Sequence, residues 1–171
     1  KGIIYPGRGS LEPYKRELAS FTNKENRKGS LSDALRGADV FIGVSKGNIV
    51  SESMIRGMAR DSIVFAMANP VPEIMPAKAK KAGARIIATG RSDFPNQVNN
   101  ALAFPGVFRG LLDSRAKMIT NEMKINAAHA LARTIKKVDD QHILPSIFDK
   151  NVVKNVSGAI KKSRPSSDDY G

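Results

Sequence analysis

The sequence contains no cysteine and no tryptophan, and only 6% of its 171 residues are aromatic. Without cysteine the chain can form no disulfide and can offer neither a thiolate nucleophile nor a thiolate ligand to a metal. The lack of cysteine is typical of proteins from reducing compartments, so we expect a cytoplasmic protein. No secretory segment begins the chain and no apolar run is long enough to span a membrane, so no membrane partner is expected.

Basic residues outnumber acidic ones by 28 to 16, which gives a net charge of +12 and makes nucleic acid a partner to consider. The basic residues are dispersed, and only residues 78–81 and 161–164 form small clusters. Neither cluster carries the aromatic platform that single-strand binding requires, and both fall near predicted helix ends, where cations suit the helix dipole. We therefore expect no nucleic-acid partner. A non-catalytic basic binding module is the alternative function outside the enzymes.

Three short apolar runs begin at residues 39, 62 and 85, at a constant spacing of 23 residues. Each run ends in small or polar residues, and a short predicted helix separates it from the next run. Ser51 is placed to cap the first of these helices and Pro76 to open the second. Strands that are apolar on both faces and alternate with helices predict an α/β fold with a parallel sheet.

Helices are also predicted at 12–21, at 98–117 with a kink at Pro105, and after the caps Thr120 and Asp149. Residues 1–10 have the pattern of a strand end followed by a glycine-rich turn. Because the chain starts in mid-strand with no initiator methionine, we expect a fragment of a longer protein.

Four amides lie within five positions of the stretch that follows the third apolar run: Asn96, Gln97, Asn99 and Asn100. Asparagine has poor helix propensity, so its concentration at a predicted helix start indicates a site. The i, i+3, i+4 spacing of the three asparagines predicts one shared face of the first helical turn. Amides beside a helix N-terminus suit a negatively charged oxygen ligand, which they would hold and not transform.

In open α/β sheets ligands bind beyond the carboxyl ends of the strands, and Asn69 follows the second predicted strand. The next residue, Pro70, favours an extended conformation at Asn69, whose side chain could bind a ligand or form an Asx turn. Four other candidates are weaker: Asp93 as an ion-paired loop residue, His129 and His142 as structural or exposed residues, and Glu73 in an early helical turn. Neither metal-ligand spacing, a Ser/His/Asp constellation nor a Gly-x-Gly-x-x-Gly motif occurs.

Three stretches together resemble the short, bacterial-type malic enzymes: residues 30–45, residues 68–76 (Ala-Asn-Pro-Val-Pro-Glu-Ile-Met-Pro) and residues 88–110. The likeness extends to residues 143–149 and weakens after about residue 162. It implies that residues 1–163 are the second half of a Rossmann-type, NAD(P)-binding parallel sheet with C-terminal helices, followed by a tail at 164–171. The first strand–helix–strand unit and the catalytic domain would then precede this chain.

The same resemblance implies oxidative decarboxylation of malate to pyruvate and CO2 with NAD or NADP and a divalent cation, Mg or Mn. It assigns cofactor and substrate contacts to Asn69 and Asn100, with Asn99 adjacent, and places Gly43, Val44 and Ser45 along the dinucleotide.

The family's catalytic tyrosine and lysine and its cation ligands would lie upstream, so the resemblance assigns no catalytic or metal-binding residue to this chain. We accordingly expect the chain to be inactive by itself and the full-length enzyme to be a homo-oligomer. Another Rossmann-type NAD(P) dehydrogenase is the alternative enzyme.

Overall fold

The computed structural model describes residues 2–163 as an α/β arrangement of seven α-helices, one 3-10 helix and a three-stranded sheet. The tail predicted at 164–171 lies outside the described residues. In the described range no helix is both long and apolar enough to cross a membrane. The elements, in chain order, are α1 (Pro13–Phe21), α2 (Leu31–Leu35), β1 (Val40–Gly43), α3 (Glu52–Arg56), β2 (Ile63–Ala66), α4 (Pro76–Lys81), β3 (Ile86–Thr89), the 3-10 helix (Asn100–Leu102), α5 (Phe104–Ser114), α6 (Asn121–Ala132) and α7 (Lys150–Lys162).

The three strands are parallel, in the order β1-β2-β3, as the three apolar runs predict. Val40 pairs with Ile63, and Ile63 pairs with Ile86, so the ladder keeps the 23-residue spacing of the sequence. Each crossover contains a helix, α3 or α4, which is the connection that parallel neighbours require. The α/β prediction is therefore confirmed.

One face of the sheet is covered by α2, α3 and α4, and its core includes Phe41, Val64, Ile55 and Ala79. The other face is open at β1, where Ile42 is 63% exposed. The outward side chains of β1 are apolar, but the described elements do not cover them.

The predicted helix caps are confirmed, because short side chains accept hydrogen bonds from the free N–H groups of the first turn. Ser51 caps α3 by accepting from Met54 N, and Asp149 caps α7 by accepting from Asn151 N. Thr120 caps α6 by accepting from Met123 N, and Ser30 caps α2 in a capping box with Asp33.

The last three α-helices pack on one another around a second core that contains Met123, Val152 and Ile160. Helices α5 and α7 approach closely because Gly106 and Gly110 of α5 face α7. A Cβ atom at Gly106 would lie 2.6 Å from Val156 Cβ, and one at Gly110 would lie 2.6 Å from Ile160 Cβ. Both glycines therefore allow a close approach that a side chain would prevent.

Two sequence predictions about elements are wrong. The helix predicted at 98–117 is a 3-10 turn followed by α5, and Pro105 opens α5 in its first turn instead of kinking a longer helix. Proline is tolerated there because the first-turn N–H has no helical partner in any case. Residues 2–10 form no strand: Arg8 Nη1 donates to the Gly2 and Ile3 carbonyls, so a side chain and not a sheet neighbour binds them.

Candidate site at the carboxyl edge of the sheet

The three parallel strands end at the same edge of the sheet, at Gly43, Ala66 and Thr89. Three loops leave this edge, at 44–51, 67–75 and 90–99. In open α/β sheets this is where ligands bind. All the predicted site residues lie in these loops or at their borders.

Asn69 and Asn100 are exposed, and neither side chain hydrogen-bonds to another residue within 2–163. Asn69 lies outside any helix or strand, its bond to Pro70 is cis, and the alternative Asx turn does not form in the described chain. Asn100 begins the 3-10 helix after β3. A side-chain amide can donate to a carboxylate or carbonyl and accept from an N–H group. Both amides keep this full capacity for a ligand.

Asn99 is half-buried and caps the 3-10 helix, because its Oδ1 accepts a hydrogen bond from Ala101 N at 2.9 Å. Its amide N–H groups and the second lone pair of its Oδ1 are left for a ligand.

Asn96 does not share a helical face with Asn99 and Asn100, which corrects the sequence prediction. It lies in the loop before the 3-10 helix with φ of 55°, a left-handed conformation that asparagine tolerates. The residue is only 5% exposed. Its Nδ2 donates to the Ile87 and Asp140 carbonyls at 3.1 and 3.0 Å, and its Oδ1 accepts from Ile143 N at 2.9 Å. Asn96 therefore fastens segment 139–143 to β3 and is fully occupied.

Glu73 also differs from the prediction of an early helical turn. It precedes α4 in an irregular loop and is completely buried. Its carboxylate accepts from Ser45 N at 2.8 Å and from Ala68 N at 3.0 Å. The carboxylate thus connects the chain after β1 to the chain after β2, directly beneath two predicted ligand-binding segments.

The segment Gly43–Ser45 turns from buried to exposed as it leaves β1. Gly43 is buried against Glu73, and a Cβ atom there would lie 2.5 Å from Glu73 Cδ. Val44 is 76% exposed and Ser45 is exposed as well. Position 43 requires glycine because the Glu73 carboxylate fills the space that a side chain would occupy, whereas Val44 and Ser45 face solvent.

Asp93 is ion-paired, as the sequence predicts, with Arg91 Nε and Nη2 donating to its two oxygens at 2.8 and 2.7 Å. The Arg91 guanidinium lowers the pKa of Asp93, which argues against a role as general base. His129 and His142 are exposed, also as predicted.

A cleft of about 720 Å³ lies at the opposite edge, beside Arg85 and Ile86 where β3 begins. Four of its polar side chains are paired with one another, Arg85 Nε with Asp140 Oδ1 at 3.1 Å and His142 Nδ1 with Asp139 at 3.0 Å, and Lys80 also lines it. The volume of this cleft therefore does not make it a better candidate than the carboxyl edge.

Within residues 2–163, histidine and acidic side chains form no group of three that could hold a metal ion. The described residues thus do not fit a cation site. Amides at a strand edge do fit a dinucleotide, whose carboxamide both donates and accepts hydrogen bonds.

A parallel sheet with loops of small and amide residues at its carboxyl edge defines an open α/β domain of the nucleotide-binding class. A family model described as "Malic enzyme, NAD binding domain" matches residues 1–163. The chain belongs to this family, so the resemblance seen in the sequence is confirmed.

Curated relatives include malic enzymes of both cofactor types. The chain is 51% identical over 166 residues to the bifunctional malic/malolactic enzyme of Bacillus subtilis, covering 95% of this chain and 40% of the relative. It is 50% identical to the NAD-dependent malic enzyme of Geobacillus stearothermophilus (93% of this chain, 34% of the relative) and 46% identical to the NADP-dependent malic enzyme of Halomonas elongata (90% and 35%). The chain thus spans well under half the length of these relatives.

Among solved structures, the NAD-dependent malic enzyme of Thermotoga maritima matches with a TM-score of 0.88 and 48% identity over 94% of this chain and 42% of that one. The malic enzyme of Entamoeba histolytica matches with a TM-score of 0.88 and 37% identity over 95% of this chain and 35% of that one. The predicted fold class agrees with these structures.

Proposed function

We propose that this chain is the cofactor- and substrate-holding part of a malic enzyme that converts malate to pyruvate and CO2 and reduces NAD or NADP. The observation that carries the proposal is the pair of exposed amides, Asn69 and Asn100, at the carboxyl edge of a malic enzyme NAD binding domain. The sequence and structural likeness to NAD- and NADP-dependent malic enzymes supports it and leaves the choice between the two dinucleotides open.

Asn69 and Asn100 would hold the malate carboxylate or the nicotinamide carboxamide, and Asn99 would contribute its remaining N–H groups. The Gly43–Ser45 segment would line the dinucleotide, which when bound supplies the acceptor for the hydride from malate. Holding both reactants in one geometry converts an encounter into an effectively unimolecular step. An amide does not take up a proton near neutral pH, so these residues orient the reactants and leave proton transfer to other groups.

Proton transfer and cation binding would be supplied by the part of the enzyme outside this chain, since the described residues lack a cation site. We propose that residues 1–163 complete a Rossmann-type domain with that missing part. The exposed apolar side chains on the open face of β1 support this proposal. We also propose that the full-length enzyme is a homo-oligomer located in the cytoplasm.

The test is Asn100→Ala in the full-length enzyme. Loss of one or two charge-assisted hydrogen bonds should raise the malate KM or lower kcat by about 10-fold or more. Asn155→Ala removes an exposed amide from α7, far along the chain from the sheet edge, and should leave both constants unchanged. Unchanged kinetics in Asn100→Ala would remove Asn100 from the site.

A further inference from the structure

Glu73 has a buried carboxyl group whose partners within the described chain are two backbone N–H groups. The residue is 0% exposed, and its Oε1 and Oε2 accept from Ser45 N and Ala68 N at 2.8 and 3.0 Å. Burying a carboxylate is costly unless hydrogen bonds replace its water, and such charge-assisted bonds are stronger than neutral ones. A residue of this kind fixes the position of whatever donates to it.

The groups that donate to Glu73 belong to the two loops that leave β1 and β2. Backbone bonds join the same loops, from Asn48 N to Pro72 O and from Val50 N to Glu73 O, both at 3.0 Å. Gly43 leaves the space that the carboxylate fills. The two loops therefore form one unit with Glu73 at its centre.

This unit carries predicted ligand contacts on its outer side. Ser45 is exposed although its N–H points to Glu73, and Asn69 directly follows Ala68, whose N–H points to the other carboxylate oxygen. Glu73 itself has no exposed surface and cannot touch a ligand. Its influence on the site must pass through the backbone of its two donors.

We propose that Glu73 is a positioning residue that sets the separation of the two loops and thereby places Asn69 against the dinucleotide. The proposal rests on the proposed function, because Asn69 must contact the dinucleotide for its placement to matter. Replacement of Glu73 should therefore impair dinucleotide binding through Asn69 and not through a general loss of structure.

The test is a double-mutant cycle of Glu73→Gln and Asn69→Ala in the full-length enzyme, with malate saturating. The glutamine side chain is isosteric but turns an NH2 group toward one of the two N–H donors, so the dinucleotide KM should rise about 10-fold. If Glu73 acts through Asn69, the same change made in Asn69→Ala should raise the KM less than about twofold further.

The control for lost stability is Met123→Ala, which removes a fully buried side chain from the core of the C-terminal helices, a cluster that contains no residue of either loop. At a temperature where circular dichroism shows every variant folded, this control should keep the parent dinucleotide KM within about twofold. Should Glu73→Gln fail to fold, Glu73→Asp replaces it in the same cycle, since it keeps the charge but is one carbon too short to hold both donors.

Three results would overturn the positioning role: an unchanged dinucleotide KM in the Glu73 variant, an equal rise in Met123→Ala, or additive effects of the Glu73 and Asn69 changes. An Asn69→Ala enzyme with the parent KM would also overturn it, because there would be no contact to position. A full-length parent without malate-dependent reduction of NAD or NADP would instead refute the proposed function, which separates the two failures.

Discussion

The carboxyl edge of the sheet and the layer of C-terminal helices are held together in different ways. At the edge, buried polar side chains bind backbone groups of distant segments: Glu73 binds two N–H groups and Asn96 binds two carbonyls and an N–H. In the helical layer, Gly106 and Gly110 let α5 approach Val156 and Ile160 of α7, and the side chains of the core between these helices are apolar.

Directed hydrogen bonds stabilise one conformation of a loop, whereas apolar packing stabilises any arrangement of side chains that fills the available space. The edge has to hold irregular backbone at a defined position, because the proposed ligand contacts lie on it. The helices are already rigid and need only a complementary surface. The difference indicates that Glu73 and Asn96 support irregular backbone that has no helical or strand hydrogen bonds of its own.

The change expected to affect stability most is Asn96→Gly. Glycine adopts a φ of 55° without strain, so the variant loses only the three hydrogen bonds of the side chain. Leaving the partly buried Ile87 and Asp140 carbonyls and Ile143 N–H without this partner should lower the free energy of unfolding by about 3 kcal/mol. Urea denaturation followed by circular dichroism measures the change.

Asn48→Gly is the matched control for this variant. Asn48 also has a positive φ, of 58°, but it is exposed and its side chain bonds to no other residue in the described chain. Its unfolding free energy should change by less than about 0.5 kcal/mol. An equal loss in both variants would mean that the backbone conformation, and not the hydrogen bonds of Asn96, stabilises the edge.

The next change, Gly106→Ala, tests the helical layer. The new methyl group would lie 2.6 Å from Val156 Cβ, so α5 and α7 must move apart. Overpacking should cost about 1–2 kcal/mol even after the better helix propensity of alanine is included. Val156→Ala combined with Gly106→Ala should recover part of the loss in urea denaturation. Gly158→Ala, a helical site where a Cβ meets nothing within 4 Å, should not destabilise and serves as the control.

The elements and caps could be predicted from the sequence because their causes are local. Each cap binds an N–H group only two or three residues further along the chain, as Ser51 does at α3 and Asp149 at α7. The strands are likewise indicated by short apolar runs at a regular spacing. The positions of Asn69 and Asn100 beyond strand ends also follow from the parallel topology, and their contacts remain predictions.

The roles of Glu73 and Asn96 could not be predicted in this way. Glu73 binds Ser45, 28 residues upstream, and Asn96 binds Asp140 and Ile143, which lie 44 and 47 residues downstream. In the local sequence the glutamate precedes Pro76 by three residues and resembles a first-turn acid, and the asparagine has the spacing of a helical face. Only the tertiary structure distinguishes these local patterns from the buried hydrogen-bonding roles that the two residues have.

The smallest effect is expected for Arg91→Gln, which removes an exposed ion pair at the same edge. Without the guanidinium the pKa of Asp93 should rise toward its ordinary value, measured by NMR titration of the carboxyl carbon. Because the folded-state pKa is lowered, the pair stabilises above the unfolded pKa and the contribution disappears as pH falls through the folded one.

Solvent and salt screen this pair, so the urea midpoint at neutral pH should fall only slightly below the parent value. A clear loss of stability there would contradict the conclusion that directed contacts at the edge matter only where they are buried. An unchanged Asp93 pKa would show that Arg91 is not its partner in solution.

The three side-chain hydrogen bonds of Asn96 have a consequence for local unfolding of the molecule. One amide group holds β3 through Ile87 and the segment between α6 and α7 through Asp140 and Ile143. Opening that segment therefore exposes the end of the sheet, and fraying of β3 releases the segment. In local-unfolding terms, the last strand and the connection between the last two helices behave as one cooperative unit, although they are distant in the chain.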